Sequence, residues 1–76
     1  MNIEDFIENF AAGFDFTDAS EIKPGTVFQE IDEWDSLLVV TTMAMAEEKY
    51  DVSITEDEIK KTVTVEDLFN LVKSKK

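Results

Sequence analysis

The chain has 76 residues, no cysteine, and eighteen Asp and Glu against seven basic residues, all lysine, for a net charge of −11. That length holds one domain, residues 1 to 76, and a domain of this size buries only about 60% of the surface its unfolded chain exposes. Without cysteine, neither a disulfide framework nor a thiolate metal site can add stability, and a chain this acidic is a poor ligand for the phosphate backbone of a nucleic acid, which needs clustered cations.

The charge is also unevenly placed. Residues 1 to 59 hold sixteen acids and two lysines, Lys23 and Lys49, whereas residues 60 to 76 hold five lysines and two acids. Such a surface keeps a protein dispersed and steers encounters with basic partners. The opening residues, MNIEDFIENF, carry acids where a secretory signal would carry basic residues. No apolar run approaches the roughly 18 residues that cross a bilayer. A soluble, cytoplasmic, monomeric protein without a membrane span is therefore expected.

Ile3, Phe6, Ile7, Phe10 and Phe14 repeat at the spacing of one helix face, which predicts a first helix over residues 3 to 13, capped by Asn2 and ending near Gly13. About twenty residues then precede the next helix, where most connections have about four to six. Part of this connection is expected to be ordered: Ile22, Val27, Phe28 and Ile31 can pack back, Pro24-Gly25 marks a turn, and Thr26 with Gln29 suggests a capped helical turn.

Leu37, Val40, Met43, Ala44 and Tyr50 share a helical period and predict the inward face of a second helix, residues 36 to 50, capped by Asp35. Thr55 and Glu58 form a capping-box pattern for a short third helix ending at Lys60 and Lys61. Thr64 opens a fourth, with Leu68, Phe69 and Val72 inward and lysines at its negative C-terminal end. Hydrophobic staples are expected at each start: Met1 with Phe6, Trp34 with Val39, Ile54 with Ile59, and Val63 with Leu68. The fold class is all-α, a small four-helix bundle with a long loop between the first two helices.

One helix start differs from the others. Helices one, three and four carry acids in the first turn, complementing the positive end of the helix dipole, whereas helix two carries Ser36, Leu37 and Leu38. Its N-terminal N–H groups, apart from those that Asp35 can bond, are left to receive an anion. A phosphodiester on Ser36 would lie beside those donors; the alternative is that Asp35 and Ser36 are simply a good cap pair.

At this point the sequence resembles the acyl carrier protein family. Asp35-Ser36-Leu37 matches the family's Asp-Ser-Leu motif, and the likeness continues through Met45-Ala46-Glu47-Glu48, Tyr50-Asp51, Ile54, Glu58 and Thr64-Val65, covering roughly residues 26 to 72. The resemblance implies that Ser36 receives 4′-phosphopantetheine, originating in coenzyme A, from a phosphopantetheinyl transferase (holo-synthase). The thiol of that arm would then carry acyl groups as thioesters to the acyl-transferring and condensing enzymes of fatty acid or related biosynthesis.

The residue types agree with that role. The arm supplies the sulfur, and with no histidine the chain lacks the usual base for a serine nucleophile, so a carrier and not an enzyme is expected. By the same resemblance, Val40, Met43, Met45 and Ile59 are candidates to shelter the acyl chain, with Leu37 beside them. Asp35, Leu37, Leu38, Glu47 and Glu48 are candidates to meet basic partner surfaces.

Two departures from the family pattern stand out. Leu-Gly would be usual two residues before the motif, where Asp32-Glu33-Trp34 stands here, and acids would be usual where Leu38 and Thr41 stand. They resemble discrete carriers of specialised pathways, leaving open an aminoacyl or short-acyl carrier for nonribosomal peptide, polyketide or surface-polysaccharide synthesis. A third reading is an acidic interaction module that is never modified. No window has the ligand spacing of a calcium-binding EF-hand loop, and no metal is expected.

Overall fold

The computed structural model describes residues 2–76, and the staple expected of Met1 lies outside them. Among the described residues there are four α-helices and no strand: α1 (Ile3–Ala11), α2 (Ser36–Tyr50), α3 (Glu56–Lys61) and α4 (Val65–Ser74). The chain is an all-α four-helix bundle. Two single 3-10 turns, Ala19–Glu21 and Phe28–Glu30, punctuate the connection between α1 and α2.

Each helix begins where a short polar side chain can accept an otherwise orphaned N–H. The Asn2 side chain accepts from the Glu4 N–H at 2.7 Å, and Asp35 accepts from the Leu38 N–H at 3.0 Å. Thr55 with Glu58 and Thr64 with Asp67 close reciprocal capping boxes on α3 and α4. The end of α2 is set by Asp51, whose left-handed conformation (φ 55°) is one that Asp tolerates and most side chains avoid. α1 stops at Ala11, two residues before the predicted end, because Gly13 and Phe14 donate to Phe10 and Ala11, three residues back, and tighten the chain out of the α form.

Phe6, Phe28, Ile59, Val65, Leu68 and Val72 are the most deeply buried large side chains, so helices α1, α3 and α4 and the connection all supply the centre of the core. Phe6 meets Phe69 edge-on at 5.5 Å between ring centroids, while the Asn9 amide donates to the Tyr50 hydroxyl at 2.9 Å, linking α1 to the end of α2. Ile54 and Ile59 are both buried, as the staple at α3 requires, whereas Val63 at the start of α4 stands 54% exposed.

The face that α2 turns inward corrects the sequence expectation. Leu38, Val39, Thr42, Met45 and Ala46 are buried, while Ala44 is exposed and Met43 and Tyr50 are half-buried. Both sets obey a helical period, because the residues from Leu37 to Ala46 are apolar nearly all round the helix. Periodicity alone cannot choose between them, and the surfaces available on α1 and α3 decide.

The connection is docked along its length. Val65 and Glu66, the first residues of α4, donate to the carbonyls of Thr26 and Pro24, each at 2.9 Å. The Gln29 amide donates to the Thr62 carbonyl at 2.9 Å, past the end of α3. The expected Thr26–Gln29 cap is therefore absent: the Thr26 hydroxyl accepts from the Lys23 N–H instead, and the turn at Phe28–Glu30 has no side-chain cap among the described residues.

Where α1 ends, it lies close against α2. A methyl group added at Gly13 would come within 2.7 Å of the Thr41 Cγ2, and Thr41 cannot simply rotate away because its hydroxyl donates to the Leu37 carbonyl at 2.9 Å. Gly13→Ala is expected to destabilise the fold by about 1–3 kcal/mol, the usual cost of overpacking. In a Thr41→Ser background, which keeps the hydroxyl and removes the methyl, most of that loss should vanish. Urea unfolding of the four chains, followed by Trp34 fluorescence, measures the coupling; an equal cost in both backgrounds would refute the contact.

Candidate functional site

The head of α2 is built by the residues immediately before it. Trp34 is half-buried against three rings, Phe28 edge-on at 5.0 Å, Phe10 at 6.1 Å and Phe14 at 6.3 Å between centroids. It packs against the same core to which Val39, its expected staple partner, belongs. With Trp34 fixed, Asp35 is held in an extended conformation as the cap, and its own carbonyl accepts from the Val39 N–H at 3.2 Å.

Ser36 is the first residue of α2 and is exposed. Its hydroxyl has no hydrogen-bond partner among the described residues, nor do the N–H groups of Ser36 and Leu37. The first turn contains no acid. An electron-rich oxygen attached to Ser36 would find free donors and the positive end of a fifteen-residue helix.

Beside the serine, Glu33 forms a clasp that the sequence reading did not anticipate. Its carboxylate accepts from the Asp15 N–H, from the Phe16 N–H at 2.9 Å and from the Thr17 hydroxyl at 3.0 Å. The segment after α1 is thereby tied to the residue three before Ser36. Partial burial would by itself raise the Glu33 carboxyl, but the N–H groups of Asp15 and Phe16, with help from Thr17, outweigh it and hold the group below the ordinary glutamate value. A single acid within the run from Glu30 to Asp35 gives no sign of such a partner, which lies 16 to 18 residues away.

A cavity of about 210 Å³ opens beside this clasp, lined by Gly13, Asp15, Phe16, Glu33, Asp35, Leu37, Leu38 and Thr41. It brings together the ends of the Asp-Ser-Leu stretch and the loop after α1. Three of the positions that depart from the carrier pattern, Glu33, Leu38 and Thr41, line it, with Glu33 in the clasp and Thr41 against Gly13.

The remaining candidate residues divide in two. Leu37 is 69% exposed, and Glu47 and Glu48 are exposed further along α2, so all three can meet a partner. Leu38 cannot: at 6% exposure it belongs to the core, because a leucine facing α1 is buried where an acid would turn outward. Met45 and Ile59 are buried and Met43 packs partly against the core. Val40 is 60% exposed, outside the buried set to which Met45 and Ile59 belong.

Among the described residues no group of His, Cys, Asp or Glu is arranged to hold a metal ion, and no helix is long and apolar enough to cross a membrane. No protein-family model matches the chain, and no solved structure matches it either.

The clasp has a pH signature. Because the folded Glu33 carboxyl titrates below its unfolded value of 4.5, its contribution is complete above that pH and is lost as pH falls through the lower, folded value. Glu33→Gln is expected to unfold at lower urea than the parent at pH 7, with the gap closing as pH is taken beneath 4.5. A gap that stays constant down to pH 3 would show that the carboxylate charge is not what holds the segment.

Proposed function

We propose that the chain is an acyl carrier protein, with Ser36 as the attachment point of a 4′-phosphopantetheine arm. One observation carries the proposal: within an Asp-Ser-Leu stretch, Ser36 stands exposed and, among the described residues, unbonded, at the start of the one described helix whose first turn holds no acid. A phosphodiester there accepts from the free N–H groups of the turn, and the dipole of α2 offsets part of its charge.

The arm reaches beyond the bundle and bears the thiol, so a chain with neither cysteine nor histidine suffices to carry a thioester. Acyl groups travel on that thiol between acyl-transferring and condensing enzymes of fatty acid or related biosynthesis. Cargo is sheltered against Met43, Met45 and Ile59 when the core parts to admit it. Asp35, Leu37, Glu47 and Glu48 meet basic enzyme surfaces in the cytoplasm, where acid-to-base steering speeds encounter.

A second reading concerns the pathway. Leu38 is buried and Thr41 is packed against Gly13, so neither position offers the charge with which carriers of general fatty acid synthesis meet their enzymes. That favours a carrier dedicated to aminoacyl or short acyl groups.

Incubation with coenzyme A and a broad-specificity phosphopantetheinyl transferase should add one phosphopantetheine to the parent and none to Ser36→Ala, read by intact mass. If the parent stays unmodified while a control carrier is converted, the chain is not a carrier and the unmodified acidic module is favoured. Loading of the modified chain by a malonyl transferase would support the fatty acid role; loading only by an amino-acid-activating enzyme would support the specialised one.

A further inference from the structure

Phe16 is 89% exposed, the most open large apolar side chain in the described chain. Exposed single apolar residues are common, but this one is fixed in place. Its own N–H and that of Asp15 donate to Glu33, and the Thr17 hydroxyl joins them. The ring is therefore presented from a tied backbone, so a partner that covers it need not order the loop first.

Its position points to the purpose. Phe16 shares the 210 Å³ cavity with Asp35 and Leu37, the two residues on either side of Ser36. Leu37, which lines that cavity, and Val40, three residues further along α2, are exposed as well. The cavity's charged residues are Asp15, Glu33 and Asp35, with no lysine among its lining. A second copy of this chain would bring acid against acid, whereas a basic protein surface would find complementary charge around an apolar centre.

We infer that Phe16 is the apolar anchor by which the enzyme that modifies Ser36 grips this chain, seating in an apolar pocket bordered by basic side chains. The inference rests on the carrier reading above and adds to it a contact outside α2. Anchors of this kind, an aromatic ring surrounded by weaker contacts, account for much of the binding at protein interfaces.

Steady-state transfer from coenzyme A by a phosphopantetheinyl transferase tests it. Phe16→Ala should raise KM for the carrier by about tenfold and leave kcat within about twofold, since a phenyl ring takes no part in the chemistry at the hydroxyl. Phe16→Leu, which keeps apolar bulk, should recover most of the loss, and raised salt should increase KM for every variant. Urea unfolding should not distinguish Phe16→Ala from the parent, because the ring buries almost nothing. An unchanged KM in Phe16→Ala, with the parent modified normally, overturns the anchor and leaves the carrier reading standing. Loss of a concentration-dependent dimer without change in KM assigns the surface to a second copy and also overturns it. A parent that is never modified removes both.

Discussion

The edge-to-face contact of Trp34 with Phe28, 5.0 Å between centroids, is where helix α1, the connection and the head of α2 become one object. Phe10 and Phe14 complete the ring cluster from the α1 side. Each such pair contributes about 0.5–1.5 kcal/mol beyond the area it buries, a large share for a domain with no disulfide. Because Trp34 immediately precedes the cap residue, holding the indole also holds Asp35, and through it the register in which Ser36 opens the helix. If the indole moved, the serine would move with it.

The same connection satisfies the ends of two other helices. Its carbonyls at Pro24 and Thr26 accept from the first N–H groups of α4, while Gln29 reaches the chain just past α3. Helix ends need partners from outside the helix, and here one irregular segment supplies them for the second half of the bundle. The segment that positions Trp34 is thereby linked to α3 and α4 as well. Lys75 offers a counterweight: it bonds Glu58 at 2.7 Å and the Ser53 carbonyl at 3.1 Å, tying the tail of α4 to the start of α3.

What could be read from the sequence was the part governed by near neighbours. Asn2, Asp35, Thr55 with Glu58, and Thr64 with Asp67 all act within three residues, so their spacing announces them. The span of α2, residues 36 to 50, was legible for the same reason, being fixed by a cap at one end and a left-handed Asp51 at the other. Its orientation was not: when a helix is apolar nearly all round, Leu37 and Leu38 are equal candidates until a neighbouring surface covers one. The Glu33 clasp and the Gln29 contact were hidden because both join residues far apart in the chain, where an acid or an amide carries no local mark of its partner. The exposed Ser36 was legible as a motif and as an acid-free first turn, two signals that coincide on one residue.

Asp32 apart, the positions at which this chain differs from the carrier pattern form a connected set. Glu33 ties the loop after α1, Trp34 packs on the rings of Phe10, Phe14 and Phe28, Leu38 is buried, and Thr41 presses on Gly13. All lie on the seam between the end of α1 and the head of α2. With Leu38 and Thr41 at these places that side of α2 carries no charge, and it packs against the end of α1. The acids Asp15 and Asp35 and the exposed rim of Phe16 and Leu37 then define the border of the serine. The apolar component of this surface comes partly from a loop, through Phe16, and partly from α2, through Leu37. The border of the serine and the packing of α1 on α2 are thereby set by the same group of side chains.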